Sequence, residues 1–374
     1  MATKEKFMRL AIELAQATVG QTSPNPAVGC VVVKDGKVVG VGAHLQAGQA
    51  HAEVNALRAA GEHAEGADMY LTLEPCAHVG KTPPCVDLII QKNIRYVSIA
   101  SLDPNPQVAG KGVAKLKKAG ISVEVGLCEQ EAIALNKYFF HYIKTKKPYV
   151  TLKTAVTMDG KTASFTGDSK WITSESARLD VHQYRHEHDA ILVGVNTIIQ
   201  DNPRLTTRLP RGGKNPIRII LDTQLRVPLQ TNVITDQEAT TIIICGQHAC
   251  EQKERQLEQL GVHVKRMPTE KIDIVSLLSW LGTKNITSVF VEGGATVHAS
   301  FLASGCFQQV IMYMAPKLLG GHNAYPSFGG EGRRMIADSS QLQFTKVEMI
   351  GPDVKLIAEP ILAGGDTNDV HRDY

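Results

Sequence analysis

An apolar run, Met69-Tyr70-Leu71-Thr72-Leu73, stops at Glu74-Pro75-Cys76, and this stop constrains the chain more than any other stretch. A short apolar run closed by proline reads as a buried strand, so Cys76 sits just beyond a strand end. Upstream, His51-Ala52-Glu53 opens a helical pattern that runs to about Ala60. Downstream, after a proline-marked loop, Cys85 opens another that runs to about Lys92. Helix N-termini favour thiolate over thiol.

One imidazole and two thiolates form a donor set that suits zinc. Three protein ligands leave the fourth tetrahedral position open, as in catalytic sites, and water held there has its pKa lowered to about 7. Glu53, two residues past His51, can face that water without ligating and shuttle its proton. His51-Ala52-Glu53 and Pro75-Cys76 match the H-x-E…P-C-x-x-C signature of zinc deaminases. The second cysteine does not, because residues 77–84 separate Cys76 from Cys85. The competing reading is a closed structural site with Cys30 or His78 as fourth ligand, which leaves Glu53 without a purpose.

The same β–α grammar extends in both directions. Residues 4–19 carry helical spacing, and Val28–Lys34 and Lys37–Val41 form a hairpin about Asp35-Gly36. Strands at 95–100 and 121–125 flank a helix at 111–119, completing a three-layer α/β/α unit. A helix over 129–144 leads to Lys146-Lys147-Pro148, the boundary between a domain at 1–146 and a second at 147–362. In the second domain, strands at 149–156, 190–194, 217–221, 241–245, 262–266 and 287–291 alternate with helices at 175–187, 251–260 and 273–282. This alternation predicts a largely parallel sheet. After Ile311 only strands follow, and an antiparallel hairpin closes the sheet. The polar tail at 363–374 is expected to be disordered.

With 374 residues, two domains are the natural division. The formal net charge of +3, with both signs interspersed, argues against a nucleic-acid or membrane partner. Seven cysteines in no regular framework exclude a disulfide scaffold, and thiolate ligands fit a reducing compartment. The early charges Lys4, Glu5 and Lys6, with no apolar run near 18 residues, lead us to expect a cytoplasmic protein.

In the second domain, Glu292-Gly293-Gly294 lies between a strand and a helix beginning at Ala295. Glycines there let backbone amides approach a phosphate, although a tight turn accounts for them equally well. Lys153, Asp159, Ser169, Trp171, Arg185, Thr197, Asp201 and Arg208 gather at predicted strand ends, a mixture suited to a phosphorylated, hydroxyl-rich ligand.

From about residue 5 to 360 the chain resembles the bifunctional deaminase–reductase family of riboflavin biosynthesis. The resemblance rests first on Pro24-Asn25-Pro26-x-Val28-Gly29, His51-Ala52-Glu53, Thr72–Cys76, Gly80–Cys85 and Asp103–Gly112. It continues in Met158–Lys161, Ser169–Thr173, Gly194-x-x-Thr197, Asp201–Arg208, Val291–Gly294 and Ala315–Gly320. The longer cysteine spacing belongs to that family. The resemblance implies an α/β chain with a cytidine-deaminase-like first domain and a dihydrofolate-reductase-like second. It implies zinc on His51, Cys76 and Cys85 with Glu53 as catalyst, and Asn25 on the pyrimidine edge. It also implies NADPH contacts at Ala155, Trp171, Thr197, Asp201, Thr223 and Gly294, Ala295, Thr296, Val297, His298, Ala299 and Ser300. Ser169, Arg185, Leu205, Arg208 and Glu292 would meet the substrate, a small pyrimidine ribotide. Lys153 and Asp201 are the candidates for proton donor in the reduction, and the family suggests a homo-oligomer. A deaminase acting on a base in RNA is the alternative; the weak net charge and the lack of a basic-aromatic run argue against it.

Overall fold

The structure, a computed structural model, describes residues 2–77, 84–105 and 108–361. His78, Gly80–Pro83, Pro106 and the tail from Ala363 lie outside the described residues. The chain forms two compact units that divide between Lys146 and Lys147.

The first unit contains β1 (Gly29–Lys34), β2 (Lys37–Ala43), β3 (Asp68–Leu73), β4 (Tyr96–Ser101) and β5 (Ser122–Val125) in one sheet of order β2-β1-β3-β4-β5. β1 is antiparallel to both its neighbours, and β3, β4 and β5 run parallel. Its helices are α1 (Ala2–Gln16), α2 (Ala52–Ala60), α3 (Cys85–Gln91), α4 (Lys111–Lys118), α5 (Glu129–Leu135) and α6 (Lys137–Thr145). Side chains alternate along each strand. Cys30, Val32, Met69, Leu71, Val97 and Ile99 pack under α2, α3 and α4. Val31, Val33, Tyr70 and Ala100 pack under α1 and α5. The β1–β2 turn has positive φ at both Asp35 (50°) and Gly36 (74°), the two-residue geometry that Asp-Gly favours.

One expectation fails. The predicted helix over 129–144 breaks at Asn136 (φ −107°, ψ 24°), giving α5 and α6. The Asn136 amide instead grips the backbone of Ala27, accepting from its N–H and donating to its C=O, each at 2.8 Å.

The second unit carries a nine-stranded sheet and, among the described residues, a short two-stranded one. Its strands are β6 (Tyr149–Thr157), β7 (Lys161–Ala163), β8 (Ala190–Gly194), β9 (Ile217–Leu221), β10 (Thr241–Cys245), β11 (His263–Arg266), β12 (Ser288–Val291), β13 (Gln309–Ala315), β14 (Tyr325–Pro326), β15 (Leu342–Ile350) and β16 (Asp353–Pro360). The large sheet has the order β11-β10-β9-β8-β12-β6-β13-β16-β15. It is parallel from β11 to β13, and the antiparallel pair β16–β15 closes it. The helices that position the site are α7 (Glu175–Glu187), α8 (Val195–Asp201), α9 (Asn232–Thr235), α10 (Glu251–Gln259), α11 (Ile274–Thr283) and α12 (Ala295–Ser304). α7 starts where the Ser174 hydroxyl accepts from Ala177 N–H at 3.3 Å. Buried Lys355 on β16 then pins the helix through Asp180 at 2.7 Å.

In the first unit two glycines decide how closely a helix can lie on the sheet. A Cβ at Gly40 would stand 2.3 Å from the Ala56 carbonyl oxygen, and one at Gly42 would stand 2.3 Å from that of Ala52. The backbone of β2 therefore lies directly against α2, the helix that begins beside His51. Gly42→Ala is expected to destabilise the first unit by about 1–3 kcal/mol, as overpacking does. Denaturation followed by a probe in each unit should show the loss in the first unit only.

Candidate active sites

The end of β3, the start of α2 and the start of α3 bring His51, Cys76 and Cys85 together, with their ligand atoms all within 4.8 Å of one another. His51 Nδ1 lies 3.2 Å from Cys85 Sγ and 3.7 Å from Cys76 Sγ. Cys76 Sγ also accepts the backbone N–H of Cys85 at 3.3 Å. The contact between the two sulfurs, with His51 assisting, lowers the Cys76 thiol, while the same contact and burial push Cys85 up. One imidazole and two sulfurs at this spacing fit a tetrahedral zinc with a position left open. Cys30, buried on β1, is not part of the cluster, so among the described residues no fourth protein ligand closes the site.

Glu53, one residue into α2, is 4% exposed, and burial raises its pKa above the usual carboxylate range. A carboxyl in this position can both take and return a proton. His51, Glu53 and Cys76 line a cavity of about 510 Å³ together with Asn25, His44, Asp103, Asn105 and Phe139. The Asn25 amide donates to His44 Nε2 at 3.1 Å, which leaves the His44 Nδ1 proton for the Ala50 carbonyl at 3.2 Å. Burial lowers the pKa of this imidazole, in keeping with the neutral tautomer.

Glu74 closes one side of the cavity. Its Oε1 accepts from Gly112 N at 2.9 Å and Val113 N at 3.2 Å; its Oε2 accepts from Gly110 N at 2.9 Å and Asp103 N at 3.4 Å. The carboxylate thus sits at the positive end of α4 and fixes the loop carrying Asp103 and Asn105. Sequence reading missed His44 as a partner of Asn25 and gave Glu74 no task. Its position inside Thr72–Cys76, directly after an apolar strand, was the available signal.

In the second unit the end of β12 meets β6 and α7. Glu292 binds Arg185 through two bonds, at 2.6 and 3.1 Å, and Lys153 at 3.3 Å. Burial alone would raise the Glu292 carboxyl, but Arg185 and Lys153 outweigh it and hold it at about 2. Arg185 also donates to the Thr206 carbonyl at 3.0 Å, and Arg208 N–H donates to His182 Nδ1 at 3.3 Å. The sequence candidates Lys153, Arg185, Arg208 and Glu292 are therefore brought together, with His182 as an unforeseen neighbour.

Asp201, at the exposed end of α8, makes no hydrogen bond or ion pair with the Lys153–Glu292–Arg185 group among the described residues. Leu205 has its side chain in the core with φ 55°. Val297 and His298 also point inward, His298 onto the Ser327 carbonyl at 3.0 Å, whereas Gly294, Thr296 and Ser300 are exposed. Ala295 and Ala299 are part-exposed on the same helix, Thr197 is on α8, and Thr223 is exposed just past β9. Ala155 packs beneath α7. Gly194 and Gly293 both lie against Val297, where a Cβ would come within 2.9 and 2.5 Å of its side chain. The ends of β8 and β12 and the start of α12 are thereby held close, and the first amides of α12 have no partner within the helix.

A third knot joins motifs that the sequence left separate. Asp159 accepts from Thr157 Oγ1 at 2.7 Å, Leu319 N at 3.1 Å and Gly320 N at 2.7 Å, bonds that lower it to about 2. Lys317 Nζ donates to the Trp171 carbonyl at 2.7 Å, and the exposed Trp171 ring stacks on Arg178 at 4.4 Å. Ser169 lies two residues before Trp171 on the same segment.

Fold and sites define a two-unit enzyme, a zinc deaminase joined to a reductase. Residues 1–101 match the cytidine and deoxycytidylate deaminase zinc-binding region, and residues 148–356 match the RibD C-terminal domain. A riboflavin biosynthesis protein RibD from Bacillus amyloliquefaciens is 53% identical over 99% of both chains; that from Escherichia coli is 41% identical over 94% of this chain and 98% of its own. The solved RibD of Acinetobacter baumannii superposes with a TM-score of 0.88 at 39% identity, over 96% of this chain and 99% of that one. A Thermotoga maritima structure described as a diaminohydroxyphosphoribosylaminopyrimidine deaminase/5-amino-6-(5-phosphoribosylamino)uracil reductase gives 0.87 at 37% identity, with the same coverage. The chain belongs to the RibD family of riboflavin biosynthesis proteins. It is a bifunctional enzyme, with zinc as the cofactor of its deaminase half and NADPH of its reductase half.

The Glu292 carboxylate gives the second unit a testable acid response. Its folded pKa lies below its unfolded value, so its stabilisation is present above about pH 4.5 and is lost as pH falls toward about 2. Glu292→Gln should flatten the decline in stability across that interval, read by denaturant titration at successive pH values.

Proposed function

We propose that the first unit hydrolyses the 2-amino group of 2,5-diamino-6-(5-phosphoribosylamino)pyrimidin-4-one. The second unit then reduces the ribosyl chain of the product to ribityl with NADPH, giving 5-amino-6-(5-phosphoribitylamino)uracil. The observation that carries the reading is the convergence of His51, Cys76 and Cys85 beside buried Glu53. His51, Cys76 and Cys85 would hold zinc, which when bound would supply a water acidified to a pKa of about 7. Glu53 takes the proton of the attacking water and returns protons to the ring nitrogen and to the amino group, which leaves as ammonia. Asn25, oriented by His44, holds the edge of the ring.

In the reductase, Arg185 and Arg208 receive the anionic, hydroxyl-rich end of the substrate, and the Lys153 ammonium, held by Glu292, donates a proton at the sugar. Opening of the ribose, or formation of an imine, prepares the anomeric carbon for hydride, which is the cofactor's own chemistry. Asp201, Trp171, Thr197, Thr223 and the exposed residues of Gly294–Ser300 hold NADPH. The enzyme acts in the cytoplasm, a reading supported by its seven cysteines, none of them in a disulfide; no helix among the described residues is long and apolar enough to cross a membrane. It assembles as a homo-oligomer. Supporting this, the edge strand β15 turns Phe344, Val347 and Met349 outward, each more than 60% exposed.

Incubation of the protein with the diaminopyrimidine ribotide and NADPH, followed by mass spectrometry, tests the order of reactions. Wild type should yield ribityl product. Glu53→Gln should retain zinc and leave the substrate unreacted, yet still reduce deaminated intermediate supplied to it. Lys153→Met should accumulate that intermediate. Unchanged substrate in the zinc-loaded wild type would refute the reading.

A further inference from the structure

We propose that the helical pair ending the first unit completes the deaminase pocket, with Asn136 positioning the Asn25 loop and Phe139 forming a wall for the substrate ring. The inference deepens the deaminase reading and rests on it.

The match to the deaminase zinc-binding region stops at residue 101. The cavity does not: Phe139, on α6, lines it, while every other lining residue falls between Pro24 and Val108. Phe139 lies three residues after the break between α5 and α6, and the break is where Asn136 turns its amide to Ala27. Both bonds of that grip are 2.8 Å long, and both residues are buried, at 5% and 4% exposure. A side-chain amide that meets the N–H and the C=O of one residue fixes its orientation as well as its place, as a strand partner would. Two residues before Ala27 stands Asn25, whose own amide reaches His44 across the pocket. Asn136 therefore sets the loop from which Asn25 projects, and Phe139 follows it three residues later, at the spacing of one helix face.

The resulting cavity has two characters. Asn25, His44 and Asn105 offer polar groups; Val28, Leu73 and Phe139 offer apolar surface. A planar aminopyrimidine is divided in the same way, with hydrogen-bonding edges and an apolar face that stacks on an aromatic ring. A phenyl ring in the wall gives the ring plane a fixed orientation relative to Asn25 and Glu53, which is what attack at one ring carbon demands.

The test uses the full-length, zinc-loaded protein with Phe139→Ala, Phe139→Leu, Asn136→Ala and Asn136→Asp. Ammonia release from the diaminopyrimidine ribotide is measured together with zinc content and with reduction of separately supplied deaminated intermediate. Phe139→Ala should raise the deamination KM roughly tenfold with little change in kcat, the pattern of lost ring binding, and Phe139→Leu should fall between it and wild type. Asn136→Ala should lower deamination kcat/KM by about tenfold or more. Asn136→Asp, which keeps an acceptor for Ala27 N–H but places a second acceptor against the Ala27 carbonyl, should not restore it. Zinc content and reduction should match wild type throughout. Wild-type KM in both Phe139 variants would overturn the wall, and wild-type kcat/KM in folded Asn136 variants would overturn the positioning role. Loss of reduction in step with deamination would also overturn the inference by showing general unfolding. If Asn136 variants fail to fold, the Phe139 pair still decides the pocket assignment. A wild-type protein that releases no ammonia would refute the deaminase reading itself, so the two failures are distinguishable.

Discussion

A buried carboxylate costs several kcal/mol unless charges or hydrogen bonds compensate for its lost hydration. Among the described residues, a buried or nearly buried acid stands at the first residue past a strand three times. Glu74 follows β3 and is satisfied by four backbone amides. Glu292 follows β12 and is satisfied by Arg185 and Lys153. Asp222 follows β9, fully buried; one of its oxygens accepts Val227 N–H at 2.8 Å, and the other has no partner among the described residues. Each compensation draws a loop or helix onto the strand end, which is where open α/β sheets bind their ligands. The demand to satisfy these acids thus places the walls of both sites.

The two halves use this constraint differently. In the deaminase half Glu74 bonds, among the described residues, to backbone amides, so it shapes the pocket while Cys76, two residues on, joins the metal-ligating cluster. In the reductase half the acid is paired with cations, and the pair is itself the candidate chemistry. A carboxylate bonded bidentately by one cation and touched by a second orients the lysine without cancelling its capacity to donate.

Much of this was legible in the sequence because it is local. Strict apolar runs gave strands such as Ala190–Gly194 and Thr241–Cys245 at the residues expected, and Asp35-Gly36 gave the hairpin by its own backbone preference. The metal-ligand set was legible because residue type and order nearly define it. The break at Asn136 was not, since nothing in Glu129–Lys144 departs from helical spacing; its cause, Ala27, is 109 positions away. α8 was missed for a similar reason. Its seven residues are rich in β-branched side chains, and only packing of Val195 and Ile198 in the core makes them helical. His44 carries no motif of its own and gains its meaning only from the partner it meets across the cavity.

The glycine seam between β2 and α2 has a consequence for descent. Every replacement of glycine by another amino acid introduces at least a Cβ, so Gly40 and Gly42 have no smaller residue to pass through. Their neighbours Ala52 and Ala56 contribute main-chain oxygens to the contact, which no substitution can trim. A lineage carrying this enzyme can therefore diversify its substrate pocket at side chains such as Phe139, while the seating of the His51 helix stays fixed unless strand and helix change together.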